Sequence, residues 1–151
     1  MPSVNINDNY IGRLFLQAQR AFAKRSIAKL RVRGHDRLTL AHSALFPYLD
    51  PCGTPVASLA EQAGMTKQSM RQLVLDLEEQ GYTTRVPDPG DRRATLVMFT
   101  EEGWRFVRDA QEVKQEMEAE YLAILGQERF EDLKESLMTL IERSGKEEPE
   151  P

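Results

Sequence analysis

The chain is poor in the residues that make covalent or catalytic chemistry. Its single cysteine, Cys52, excludes an intramolecular disulfide framework and agrees with a reducing compartment; set in a Pro-Gly turn, it reads as an incidental thiol. No run of 18 apolar residues is present, and residues 1–8 (MPSVNIND) lack the basic start and apolar middle of a signal peptide. The sequence therefore predicts a cytoplasmic protein with no membrane partner. The two histidines, His35 and His42, have Asp36 nearby but too few further ligands for a metal shell, so neither a metal nor another cofactor is expected. There is no Ser/His/Asp set, no Gly-rich phosphate loop and no H-E-x-x-H, which leaves catalysis without candidate residues. The expectation is a protein that is not an enzyme.

Basic charge is also in the minority, with 20 Lys/Arg against 24 Asp/Glu and a formal net charge of -4. The balance is uneven along the chain. Residues 1–45 hold eight basic and two acidic residues, residues 46–100 five and seven, and residues 101–151 seven and fifteen. A basic front and an acidic back are hidden in the net value, and a binding face answers to local charge.

The hydrophobic pattern is mainly helical. Asp8 or Asn9 can cap a helix in which Ile11, Leu14, Phe15, Ala18, Ala21 and Phe22 recur at spacings of three and four, running to about Arg33 before Gly34 breaks it. A second helical pattern runs from Thr39 through Leu45, and DPCGTP (50–55) reads as a turn. Ala57, Leu59, Ala60 and Ala63 make a short helix that Gly64 stops, and Thr66 offers its hydroxyl as the cap of the next. Two helices joined by a short turn containing glycine form a helix-turn-helix. In its second helix Met70, Leu73, Val74 and Leu77 form the buried stripe, while Gln68, Gln72 and Leu75 project opposite, flanked by Ser69 and Arg71.

Residues 82–86 and 95–99 are rich in β-branched and aromatic types, and PDPGDRRA lies between them as the tip of a hairpin. Thr100 then caps a long helix whose first turn holds Glu101 and Glu102, with apolar positions from Trp104 to Leu125. After Gly126, Phe130, Leu133, Leu137, Leu140 and Ile141 mark a last helix, and residues 144–151 read as a disordered tail. The terminal helices carry more apolar surface than one compact domain of this size covers, which predicts a homodimer sealed by the first and last helices.

A helix-turn-helix followed at once by a hairpin suits double-stranded DNA. A helix spanning 66–80 is narrow enough for the major groove. There Gln68 and Gln72 can pair bidentately with adenine, Arg71 can take guanine or a phosphate, and Thr66, Lys67 and Ser69 suit phosphates. The hairpin arginines, Arg92 and Arg93, would reach the adjacent minor groove. The plain alternative is a polar surface helix, for which exposed glutamines are ordinary.

From Leu38 to Gly103 the sequence resembles the MarR (multiple-antibiotic-resistance regulator) family of winged helix-turn-helix transcriptional regulators. The resemblance rests on SLAEQAGMTKQSMRQLV (58–74), LEEQGY (77–82) with Arg85, and above all DPGDRRATLVMFTEEG (88–103), which is similar to that family's wing signature of Asp-x-Arg, a strand and Thr-x-x-Gly. It implies a winged helix-turn-helix DNA-binding lobe over 38–100 and a helical dimerisation region over 8–34 and 101–143. It further implies that Arg93 enters the minor groove, that Asp91 holds this arginine in position, and that Arg92 contacts a phosphate or a salt-bridge partner. One departure is Leu75-Asp76, where many members carry an acid and then a base.

The resemblance also implies a ligand-responsive repressor acting on a pseudo-palindromic operator. Its small aromatic or anionic effector would sit near Phe15, Phe22, Phe46, Tyr48 and Trp104, although each of these aromatics, taken singly, reads first as core at helical spacing. The competing reading is a winged-helix protein-interaction or anti-repressor module with little direct DNA binding; Asp91 and Arg93 weigh against it.

Overall fold

The computed structural model describes residues 10–43 and 45–145. Asp8 and Asn9, the expected first cap, and residues 146–151 of the expected tail lie outside the described residues. What is described falls into two compact units, one up to Val113 and one from Lys114 onward.

In the first unit, α1 (Ile11–Val32) starts after Tyr10, which makes no side-chain capping bond. Helix α2 is a single turn, Leu40–Ser43, followed by a turn of 3-10 helix at Phe46–Tyr48. It is shorter than the pattern from Thr39 to Leu45 predicts, because Pro47 has no amide hydrogen with which to prolong an α-helical ladder.

The expected turn at 50–55 is only half a turn. Gly53 N–H closes it on the Asp50 carbonyl at 2.9 Å, and Thr54–Pro55 then forms a strand, β1. The sheet therefore has three antiparallel strands in the order β1-β3-β2, where β2 is Thr83–Pro87 and β3 is Thr95–Phe99. A proline is tolerated in β1 because the strand lies at the sheet edge, where one missing donor disturbs one side only. Val97 sits at the centre, opposite both Thr54 and Arg85, and is fully buried.

Helices α3 (Val56–Gln62) and α4 (Lys67–Glu79) form the predicted pair. Gly64 takes φ 63, a left-handed geometry that lets Met65 N–H return to the Ala60 carbonyl at 2.8 Å and turns the chain toward α4. Thr66 caps α4 by accepting the Ser69 N–H at 3.1 Å. Met70, Leu73, Val74 and Leu77 are buried as the spacing predicts, in a core that also holds Leu38, Leu45, Leu59 and Val97.

Helix α5 (Glu101–Leu125) is joined to the lobe through its first turn. The Thr100 hydroxyl donates to the Gly81 carbonyl and accepts the Gly103 N–H at 3.0 Å. Gly103 itself lies against the backbone of Tyr82: a Cβ there would stand 2.1 Å from the Tyr82 carbonyl oxygen. The Thr-x-x-Gly spacing thus serves two contacts, a cap that also grips the end of α4 and a bare Cα where β2 begins.

Behind this junction runs a polar network. His35 is fully buried, with Nδ1 2.8 Å from the Tyr82 hydroxyl and Nε2 2.7 Å from the Asp109 carboxylate. Arg105 donates to Asp109 at 3.4 Å, to the Arg33 carbonyl at 3.3 Å and to the Glu102 carboxylate. The end of α1, the start of β2 and the first three turns of α5 are joined by charge-assisted bonds as well as by packing.

The second unit contains the remainder of α5 and α6 (Gln127–Ser144), so the last helix runs through the first residue of the expected tail. Lys134 lies 3.9 Å from Glu118 and over the Phe130 ring at 5.4 Å. Leu133, Met138, Leu140 and Ile141 are exposed on α6. No helix among the described residues is long and apolar enough to cross a membrane.

Candidate nucleic-acid interface

With its apolar stripe in the core, α4 turns Gln68, Ser69, Arg71, Gln72 and Leu75 outward, and Thr66 and Lys67 are exposed at its N-terminal end. At about 100° per residue, Gln68, Gln72 and Leu75 lie opposite the buried stripe, with Arg71 on one flank and Asp76 on the other. The Arg71 flank faces the wing: Arg71, Leu75, Arg85, Arg93 and Thr95 line one open hollow of about 550 Å³. Arg85 is engaged there, donating to Glu78 at 3.0 Å and tying β2 to α4. Among the described residues, Lys67, Arg71, Arg92 and Arg93 form no ion pair.

Asp88 N–H donates to the Ala94 carbonyl at 3.0 Å across the base of the wing tip, and the Asp88 carboxylate accepts the Gly90 N–H at 2.8 Å. Asp91 then accepts the Arg93 N–H at 2.9 Å, and its own carbonyl accepts the Ala94 N–H at 3.0 Å. The Asp91 carboxylate thus fixes the Arg93 backbone rather than its guanidinium. The charge of Arg93 stays exposed and available to a partner outside the chain.

The five aromatics expected around an effector have different surroundings. The Phe46 ring packs against Phe106 with centroids 4.2 Å apart, and Trp104 packs tilted against Phe99 at 5.0 Å. Tyr48, Phe15 and Phe22 are exposed at 37%, 43% and 39%. Phe46 and Trp104 thus have packing partners of their own, and the hollow beside the wing is lined by other residues. No group of three or more His, Cys, Asp or Glu among the described residues is arranged to hold a metal. Cys52 is exposed, its N–H donating to the Asp50 carboxylate at 2.7 Å.

The set that joins the buried His35 to Tyr82 and Asp109 was not legible in the sequence. A lone histidine after a glycine, with partners 47 and 74 residues on, leaves no periodic signal.

A helix-turn-helix continued by a three-stranded sheet, with arginines at the hairpin tip, defines a winged-helix domain. Residues 50–94 match the MarR family profile. A curated relative from Mycobacterium bovis, named as an uncharacterized HTH-type transcriptional regulator, is 32% identical over 94 residues, covering 60% of this chain. The match spans 65% of that relative's length. Among solved structures, a MarR transcriptional regulator from Methanosarcina mazei superposes with a TM-score of 0.75 at 20% identity, covering 92% of this chain and 99% of that one. The S. aureus MepR-DNA complex superposes with a TM-score of 0.70 at 18% identity, covering 90% and 99%. Over residues 50–94 the chain is similar to the MarR family, and its fold is that of the MarR regulator it superposes on.

Proposed function

We propose that the chain is a sequence-specific DNA-binding transcriptional regulator of the cytoplasm, acting as a homodimer on a pseudo-palindromic operator. The observation that carries this reading is the pairing of two outward surfaces. One is the α4 face of Gln68, Arg71 and Gln72; the other is a wing whose Arg93 is fixed through its backbone and has no ion-pair partner among the described residues. Amide and guanidinium groups in this arrangement suit base edges in the major groove, with the wing arginine beside them in the minor groove. The MepR relative has been solved with DNA, which supports the same use of the shared fold.

Binding two half-sites a helical turn apart needs two copies. Ile11, Leu14 and Leu16 on α1, and Met138 and Ile141 on α6, expose apolar surface of the kind a second copy would cover. Light scattering at micromolar concentration should give twice the 17.3 kDa chain mass, whereas a monomer would remove the dimer from the reading. In this reading the regulator is a repressor that leaves its operator when a small aromatic or anionic effector binds, which requires the effector to bind the DNA-free form more tightly. Mobility shift with duplex DNA across a salt series tests the DNA reading directly. Binding that steepens as salt falls supports it, and a chain that ignores DNA at every salt would turn the assignment to a protein-interaction module.

A further inference from the structure

Asp76 is the residue of α4 that fits a DNA-facing helix least well, and its contacts give it a use. It lies on the flank of α4 toward α2. There Gln72 Nε2 donates to one carboxylate oxygen at 2.9 Å, while His42 Nε2 stands 3.9 Å from the other. The His42 side chain is buried, and its Nδ1 accepts the Thr39 amide N–H at 3.1 Å. Burial pushes the His42 pKa down, with Asp76 opposing in part. The neutral ring has its Nδ1 occupied as an acceptor, so it carries its hydrogen on Nε2, the nitrogen that faces Asp76.

A carboxylate only accepts hydrogen bonds. If the Gln72 amide turned over, its oxygen would meet the Asp76 oxygen, which is repulsive, so the amide is held with its NH₂ toward Asp76. With the hydrogen trans to the carbonyl oxygen given to Asp76, the second N–H and the carbonyl oxygen lie side by side on the free edge. That donor-acceptor pair matches adenine, which shows an N7 acceptor beside an N6 donor; guanine shows two acceptors and would oppose the carbonyl. We infer that Asp76 is a specificity-determining positioning residue, fixing the Gln72 amide so that it reads adenine and rejects guanine. The inference rests on the proposal that α4 enters the major groove. It also gives a reason for an acid beside DNA, where charge alone would favour a base.

The test uses the full chain and a pool of duplexes with a randomised core of about 20 base pairs, enough for two half-sites a helical turn apart. Wild type should select adenine at one position of each half-site and bind the guanine-substituted duplex about tenfold more weakly. Asp76→Asn should bind the selected duplex at least as tightly, since a negative charge has left the phosphates' neighbourhood, yet its adenine-over-guanine ratio should fall severalfold. Gln72→Ala should lose the same preference, and adding Asp76→Asn to it should leave the ratio unchanged. The Asp76 side chain is 40% exposed, so the variant should melt close to wild type. An Asp76→Asn protein that keeps the full ratio at every selected position overturns the inference while leaving DNA reading in place. A wild type that selects no sequence overturns the DNA reading itself and the inference with it.

Discussion

Arg93→Ala is expected to weaken DNA binding by about tenfold or more and to reduce the salt slope by roughly one per protomer, with little change in folding stability. The separation of these effects follows from what Arg93 touches. Its backbone N–H is held by Asp91 at 2.9 Å, a bond that alanine retains, so the wing tip keeps its course. Its side chain is exposed and forms no ion pair within the described chain, and surface substitutions of that kind fall within about 0.5 kcal/mol. The loss therefore reports an external contact. Arg92→Ala should cost less if Arg92 meets only a phosphate, and fluorescence anisotropy with a labelled duplex, repeated at several salt concentrations, measures both. An Arg93→Ala protein that binds as tightly as wild type, with the same salt slope, would remove the wing from the DNA interface.

Gly103→Ala is expected to be the most destabilising single-methyl change in the lobe, costing about 3 kcal/mol and lowering the melting temperature by about 10 °C. The added Cβ would sit 2.1 Å from the Tyr82 carbonyl oxygen and 3.0 Å from the Phe99 ring. The first obstacle is backbone and cannot rotate away. Tyr82 N–H is also engaged, closing α4 on the Leu77 carbonyl at 2.9 Å, so relief at 103 has to displace the end of α4 or the start of β2. The His35–Tyr82 bond at 2.8 Å would be disturbed by the same shift. Gly12→Ala is a matched control on an exposed helix, where the new methyl meets only the Tyr10 ring, and it should be neutral or slightly stabilising. Thermal unfolding by circular dichroism separates the two. Equal melting temperatures would mean that the α5 junction yields without cost.

Much of the lobe was readable because its signals are local. The Gly64 turn, the Thr66 cap and the 70-73-74-77 stripe each depend on residues within one or two helical turns, and each stands where the spacing predicts. The hairpin was equally legible, since residues 82–86 and 95–99 are rich in β-branched and aromatic types on either side of a Pro-Gly tip, and Thr83–Pro87 pairs with Thr95–Phe99. Strand β1 was not: two residues ending in proline carry no period, and only pairing with Leu96 and Val97 makes Thr54–Pro55 a strand. Helix α2 was overestimated for the opposite reason, its apolar spacing continuing past the place where Pro47 interrupts the ladder.

The site divides along the same line. Exposure of Gln68, Gln72 and Arg71 followed from helical geometry, and the wing arginines from the hairpin and the family signature. The Gln72–Asp76 bond is an i,i+4 pair within α4, but the approach of His42 to Asp76 depends on α2 lying beside α4, and the sequence offers no register for that contact. Gly103 was visible as part of a motif, but the reason for a glycine is a carbonyl 21 residues earlier in the chain.

The most direct measurement is equilibrium binding of the wild-type chain to duplexes recovered from a randomised pool, compared with a scrambled duplex at low and at physiological salt. A sequence-reading winged helix should prefer the recovered duplex by about a thousandfold or more at physiological salt, while its affinity for both falls steeply as salt rises. Equal affinity for recovered and scrambled duplexes, or binding indifferent to salt, would contradict the assignment.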